Sequence, residues 1–277
     1  TSTSINTGRD QLSGAGTYTS SLIFGGHGPG YKNETESWNG SSWTEVNNLN
    51  TARSQGAGFG VDNTAALFAG GDTPPHSSLT ETWNGSNWTE VNNLNTARRY
   101  PGGAGTNTNG VVFGGYTGAN SADTELWNGT NWTEVNNLNT ARHDMASFGI
   151  YTAAIAAGGY GPNTTAITEN WNGTNWTEVN DLNTARYGAR GAIQGTTSAG
   201  LVFGGETGPT GLTITEEWNG ASWAEVADLS QKRRYPTGTG NATNALAIAG
   251  DANPGEALTS VEEWNSISNV VKTISTD

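Results

Sequence analysis

The chain contains no cysteine, so disulfides, thiolate nucleophiles and zinc–thiolate sites are excluded. Charge is scarce: Asp, Glu, Lys and Arg make up 13% of 277 residues. Basic residues are scarcer still, 12 against 25 acidic, for a formal net charge of −13. Nucleic-acid affinity rests on Lys and Arg neutralising phosphates, so a nucleic-acid partner is not expected. No apolar run approaches the 18 residues a membrane-spanning helix needs, and no signal peptide is visible. Histidine occurs only at positions 27, 76 and 143. No cofactor and no metal are expected. The opening Thr1-Ser2-Thr3-Ser4, with no initiator methionine, reads as a linker of a longer polypeptide or as the start of a processed product.

What is present is periodic. Eleven tryptophans occupy two positions of one recurring motif. The first series is Trp38, Trp83, Trp127, Trp171, Trp218 and Trp264, and the second is Trp43, Trp88, Trp132, Trp176 and Trp223. Arg9, Arg53, Arg98, Arg142, Arg186 and Arg233 keep step, at spacings of 44, 45, 44, 44 and 47. A fixed period of this size marks a repeat architecture.

The unit from Arg53 to Ala97 shows the pattern. Gly56 to Val61 is a run of mostly small residues, followed by turn chemistry at Asp62-Asn63. Ala65 to Phe68 is apolar and leads into Gly70-Gly71. Leu79 to Trp83 alternates, Asn84-Gly85 signals a hairpin with a type I′ turn, whose two central residues need positive φ, and Trp88 to Val91 forms a fourth strand. The Gly-Gly doublet recurs in every unit except the sixth, where Gly250-Asp251 takes its place. The sixth unit also loses its second tryptophan, with Asn269 in that position, and Asn269 to Ile274 can supply its fourth strand.

Six four-stranded antiparallel sheets arranged radially form an all-β, six-bladed β-propeller, which protects strand edges by closing on itself. An open solenoid is the rival. Residues 1–277 read as one propeller domain, with blades near 9–52, 53–97, 98–141, 142–185, 186–232 and 233–277. The chain starts in register with the linker before an inner strand, so closure needs no strand exchange between the termini, although Thr1 to Ser4 could add an edge pairing.

The succession Arg, small-residue strand, apolar strand ending in Gly-Gly, Thr-Glu-x-Trp, then Trp-x-Glu-Val resembles the kelch repeat, here with Trp where kelch usually has Tyr. The blade Arg142…Gly158-Gly159…Thr168-Glu169-Asn170-Trp171…Trp176-Thr177-Glu178-Val179 carries it in full. The resemblance implies binding more often than catalysis. The copper chemistry of the kelch-like galactose oxidase needs a Cys-modified Tyr, which this chain lacks. In style and composition the near-copied units also resemble virion-associated kelch-type proteins of marine bacteriophages.

Alternating strands put the six arginines and the loops after Gly-Gly on one face of the disc. The arginines could ring the axis and grip an anion. Alternatively they pair with Glu36, Glu81, Glu125, Glu169, Glu216 and Glu262, which also occur once per blade. The tryptophans read as wedges between blades, or as platforms for sugars. The loops after Gly-Gly carry His27, Tyr31, His76, Tyr116 and Tyr160, which suit a protein partner or a glycan. His27 and His76 occupy equivalent loops of adjacent blades, and a metal site there would need a third ligand, for which Asp72 is the nearest candidate by sequence. No catalytic constellation is visible. The expected function is a non-enzymatic binding or structural module outside a larger assembly such as a virion, extracellular or on the virion surface, meeting a protein or host surface. The alternative is a multivalent lectin with a sugar pocket at each blade interface.

Overall fold

A computed structural model describes residues 4–266 and the backbone of residues 272–274. Six four-stranded antiparallel sheets stand in a ring, and a two-stranded ribbon, His27–Gly28 with Gly30–Tyr31, sits in a loop of the first. In blade two the strands are Ala57–Asp62, Ala65–Ala69, Thr80–Trp83 and Trp88–Val91, ordered consecutively from axis to rim. The other blades repeat this order. In blade six, strand Lys272–Ile274 pairs with Val261–Asn265. The rest of its expected fourth strand, Asn269 included, lies outside the described residues. So does the expected edge pairing of Thr1 to Thr3.

The ring is closed and not a solenoid. The residue two positions after each repeated arginine adopts the left-handed conformation: Gln11, Gln55, Tyr100, Asp144, Gly188 and Tyr235 have φ between +50° and +65°. The amide of each hydrogen-bonds the carbonyl of its counterpart in the preceding blade. Gln55, Tyr100, Asp144, Gly188 and Tyr235 donate to Gln11, Gln55, Tyr100, Asp144 and Gly188 at 2.7–3.1 Å. Gln11 then donates to Tyr235 at 3.1 Å, completing a cyclic belt of six bonds around the axis. Five of the six are not glycine, an uncommon conformation for side-chain-bearing residues, held here by the belt itself. Ser21 Oγ also reaches Thr239 Oγ1 at 2.8 Å across the seam between blades one and six.

All eleven indoles are buried, and the two series hold different things. First-series rings tie each blade to its own inner hairpin: Trp83 Nε1 donates to Asn63 O and Trp127 Nε1 to Asn107 O, both at 2.9 Å. Second-series rings reach the preceding blade: Trp88, Trp132, Trp176 and Trp223 donate to Thr35, Thr80, Thr124 and Thr168 at 3.0–3.2 Å. No indole is presented to solvent, so the tryptophan platforms of a multivalent lectin are absent. An indole buried on both faces stabilises the blade stack and leaves no ring for a sugar.

The arginines do not ring the axis as open cations. All six are fully buried, each paired with the glutamate on the third strand of its own blade. Arg98 Nη2 lies 2.6 Å from Glu125 Oε1, and Arg98 Nη1 donates to the carbonyls of Gly114 and Asp123. Glu125 Oε2 accepts from the backbone amide and side chain of Asn95, both at 2.8 Å. The pair pins the incoming linker onto the blade. Burying a guanidinium without a carboxylate beside it is costly, which is why Arg and Glu recur together, and the Glu remains the constant partner even where Arg9 Nε and Nη2 and Arg186 Nε find no acceptor.

Two turn expectations are corrected. Asn-Gly does not form a two-residue hairpin turn. Trp83 pairs with Trp88, leaving four residues in the loop. Only Gly85 has positive φ, and Asn84 Oδ1 accepts from the amides of Ser86 and Asn87 at 3.0 and 2.9 Å. The doublet of blade six is Ala249-Gly250, with φ of +58° and +90°, and not Gly250-Asp251. Asp251 therefore occupies the position of His27, Asp72, Tyr116, Tyr160 and Glu206.

Candidate binding cup on the arginine side

The near-identical units diverge most in one place. The residue after each arginine forms a short bridge to the residue after each doublet: Asp10–His27, Ser54–Asp72, Arg99–Tyr116, His143–Tyr160, Tyr187–Glu206 and Arg234–Asp251. No two of these pairs are alike. They stand in a circle above the belt and form the wall of a cup whose floor is the belt.

One side of the wall is aromatic. Ring centroids run His76–Tyr116 at 5.6 Å, Tyr116–His143 at 5.5 Å, His143–Tyr160 at 5.6 Å and Tyr160–Tyr187 at 5.3 Å. On the floor, Tyr100 and Tyr235 come from opposite blades, three and six, and meet at 6.2 Å. Tyr235 lies over Gly188, where a Cβ would come within 2.9 Å of its ring. His143 is neutral at pH 7: burial, then the nearby Arg99, lower its pKa to about 4. Its Nδ1 is 2.8 Å from Asn120 Oδ1, an acceptor that calls for the proton on Nδ1 and leaves Nε2 as an acceptor.

Each guanidinium in the cup faces a carboxylate. Arg234 makes a bidentate pair with Asp251 at 2.8 and 2.7 Å and a third bond to Glu206 at 2.9 Å. Tyr235 Oη donates to Glu206 at 2.8 Å, and burial, then the neighbouring carboxylates of Asp144 and Glu206, raise its pKa. Arg99 lies 3.7 Å from Asp72 and stacks over Tyr100 and Tyr116. Arg190 lies 3.6 Å from Asp144.

Asp144 is the most perturbed carboxyl. Burial lifts its pKa to about 7 against the pull of Arg190, and its Oδ1 has no hydrogen-bond partner. Ser54 Oγ, Gln55 Oε1 and Arg99 Nε, in the same floor and wall, are likewise buried without partners. Asp10 is raised to about 6, by burial and then by Asp251. A cavity of about 410 Å³ opens beside Asp10 and His27 at the seam of blades six and one.

Below the belt the axial channel narrows to about 40 Å³ beside Ser13, Ser147, Arg190 and Thr237. Its far end is blocked by blade five. Ile193 packs with Ala57 and Phe59, and Gln194 Nε2 donates to Gly60 O in blade two, across the axis. The cup is therefore blind.

His27, Tyr31, His76, Tyr116 and Tyr160 all sit on this face. His27 packs edge-to-face with Tyr31 at 5.5 Å, and Tyr31 Oη donates to Asp72 at 2.7 Å. Asp72 faces His76 at 3.5 Å and not His27, whose carboxylate neighbour is Asp10 at 4.0 Å. Among the described residues no group of three or more His, Asp or Glu is placed to hold a metal ion. The floor residues Tyr100, Asp144 and Tyr235, and Glu206, Arg234 and Asp251 in the wall, were not singled out by sequence reasoning as ligand-binding. The available signal was the dipeptide after each repeated arginine, which takes five different forms in the six units, Arg-Tyr occurring in both the third and the sixth.

No family model and no curated protein matches the chain. Solved structures do. One, described as the structure of YjhT, aligns with a TM-score of 0.76 at 13% identity, covering 98% of this chain and 99% of that one. The fold is a six-bladed β-propeller. At that identity the likeness concerns architecture alone.

Proposed function

We propose that the chain is a non-enzymatic recognition module that meets its partner through the arginine-side cup. One observation carries the reading. All three histidines, six of the eight tyrosines, and the three arginines not used in the scaffold (Arg99, Arg190 and Arg234) belong to this face. Varied side chains concentrated on one face of a repetitive scaffold are what selective binding requires. The cup holds no nucleophile paired with a base. The setting we favour, from the resemblance to virion-associated kelch-type proteins, is the exterior of a larger assembly contacting a protein or host surface.

The cysteine-free chain allows a direct test. A single cysteine is introduced at Tyr160 in the cup or at Ser86 on a hairpin of the opposite face, and each is coupled to a bulky maleimide. Binding to immobilised bacterial envelopes and to the native assembly is then measured. The label at position 160 should abolish binding, and the label at 86 should leave it intact. The reverse pattern refutes the reading.

A further inference from the structure

Resting on that reading, we infer that the cup takes one neutral saccharide per chain, stacked on the Tyr116–His143–Tyr160 arc and hydrogen-bonded by the guanidinium–carboxylate pairs of the wall and floor. This differs from a lectin with six equivalent pockets, because no two bridge pairs around the cup are alike.

Three observations select the ligand chemistry. The first is the aromatic arc. Tyr160 is 38% exposed, and its ring continues a run of edge and tilted contacts with His143 and Tyr187. Such rings offer apolar faces to the C–H surface of a sugar while their polar tips stay wet. His143 is neutral, and the cation beside the arc is Arg99, whose guanidinium lies over Tyr116 and faces Asp72.

The second is charge balance. The cup holds three guanidinium groups, each already facing a carboxylate: Arg99 with Asp72, Arg190 with Asp144, Arg234 with Asp251 and Glu206. Asp10 adds a fifth acid. An anionic ligand finds no uncommitted cation here. Asp10 forms no ion pair with a guanidinium, and burial raises its pKa to about 6, so its protonation trims the excess of negative charge without freeing a cation.

The third is the set of unpartnered buried atoms. Gln55 Oε1 is an acceptor, Arg99 Nε is a donor, and Ser54 Oγ can be either, as can the Asp144 carboxyl, whose Oδ1 is 3.6 Å from Arg190 and hydrogen-bonded to nothing. Asp144 is 3% exposed. Leaving such groups unmade is costly. A hydroxyl both donates and accepts, so vicinal hydroxyls meet this mixture where an ammonium or a carboxylate would satisfy only half of it.

The test is a printed glycan array carrying neutral, carboxylated, sulfated and amino sugars, followed by calorimetric titration of the strongest neutral hit. Neutral glycans should dominate, with a stoichiometry of one. Tyr160→Ala and Tyr116→Ala should weaken binding about tenfold or more with unchanged melting temperature. Ser86→Ala should change nothing. Preference for acidic or amino sugars, a stoichiometry near six, or no glycan bound at all overturns the inference. If no glycan binds but the label at position 160 still blocks envelope binding, the saccharide fails and the recognition face stands. If the label at 86 blocks instead, the face itself is wrong.

Discussion

Arg98 and Glu125 meet 2.6 Å apart with both side chains sealed from solvent. Replacing Arg98 with Met leaves a carboxylate stranded in the blade. Loss of one partner of such a pair should cost about 3–5 kcal/mol. The double variant Arg98→Met/Glu125→Gln should be more stable than Arg98→Met alone, because Gln still accepts from the Asn95 amide without a buried charge. Chemical denaturation of the three proteins checks this. If Arg98→Ala and Arg142→Ala both leave thermal stability unchanged, the pairs are not structural.

Trp171 and Tyr160 are both aromatic and lie close in sequence, yet one is fully buried and the other exposed. Trp171→Ala should destabilise by about 3–5 kcal/mol, through lost burial and the cavity left behind. Tyr160→Ala should change stability by no more than about 0.5 kcal/mol. Comparable losses at both sites would mean that Tyr160 belongs to the scaffold and not to a recognition surface.

Asp144 makes stability pH-dependent with a defined sign. Its folded pKa of about 7 exceeds its ordinary value of 3.8. The protonated carboxyl is therefore the form the fold favours. Its contribution is fully present below pH 4 and is lost as pH rises through 7. Asp144→Asn keeps a neutral side chain in place, so the variant should match the wild type near pH 4 and exceed it at pH 8. At 1.36 kcal/mol per unit the gap is on the order of 4 kcal/mol at most. Arg190 and Glu206 face this carboxyl, the first favouring its ionised form and the second opposing it. Denaturation midpoints of both proteins across pH 4–8 measure the difference, and parallel curves would contradict a carboxyl whose burial outweighs the pull of Arg190.

Gly188 is the belt's one glycine, at φ +65°. In Gly188→Ala, the new methyl would sit 2.9 Å from the ring of Tyr235. Two penalties combine, a left-handed alanine and a displaced tyrosine, and the expected loss is more than about 1 kcal/mol. The tyrosine should also give up its bond to Glu206. A crystal structure of the variant with Tyr235 unmoved would count against this account.

The blades were legible because their making is local. A Trp-Asn-Gly hairpin, an apolar strand ending in glycine and a small-residue inner strand each announce themselves within a few residues, and the repetition multiplies the signal. The Glu–Arg alternative was visible in the shared period. Which alternative holds was not, since burial of Arg98 depends on carbonyls from Gly114 and Asp123, residues that no local pattern marks as acceptors. The sixth doublet was misplaced by one residue because Ala249 does a glycine's work at φ +58°, a conformation set by its surroundings.

From its sequence alone this chain is a ring of six sheets: short-range turn chemistry and a 44-to-47-residue period suffice for that. Only the folded disc decided where binding chemistry gathers. Tyr100 and Tyr235 stand 135 residues apart, and nothing in their local sequence brings them together. They meet because the belt closes, and closure sets the side chain after each buried arginine against loops arriving from other blades.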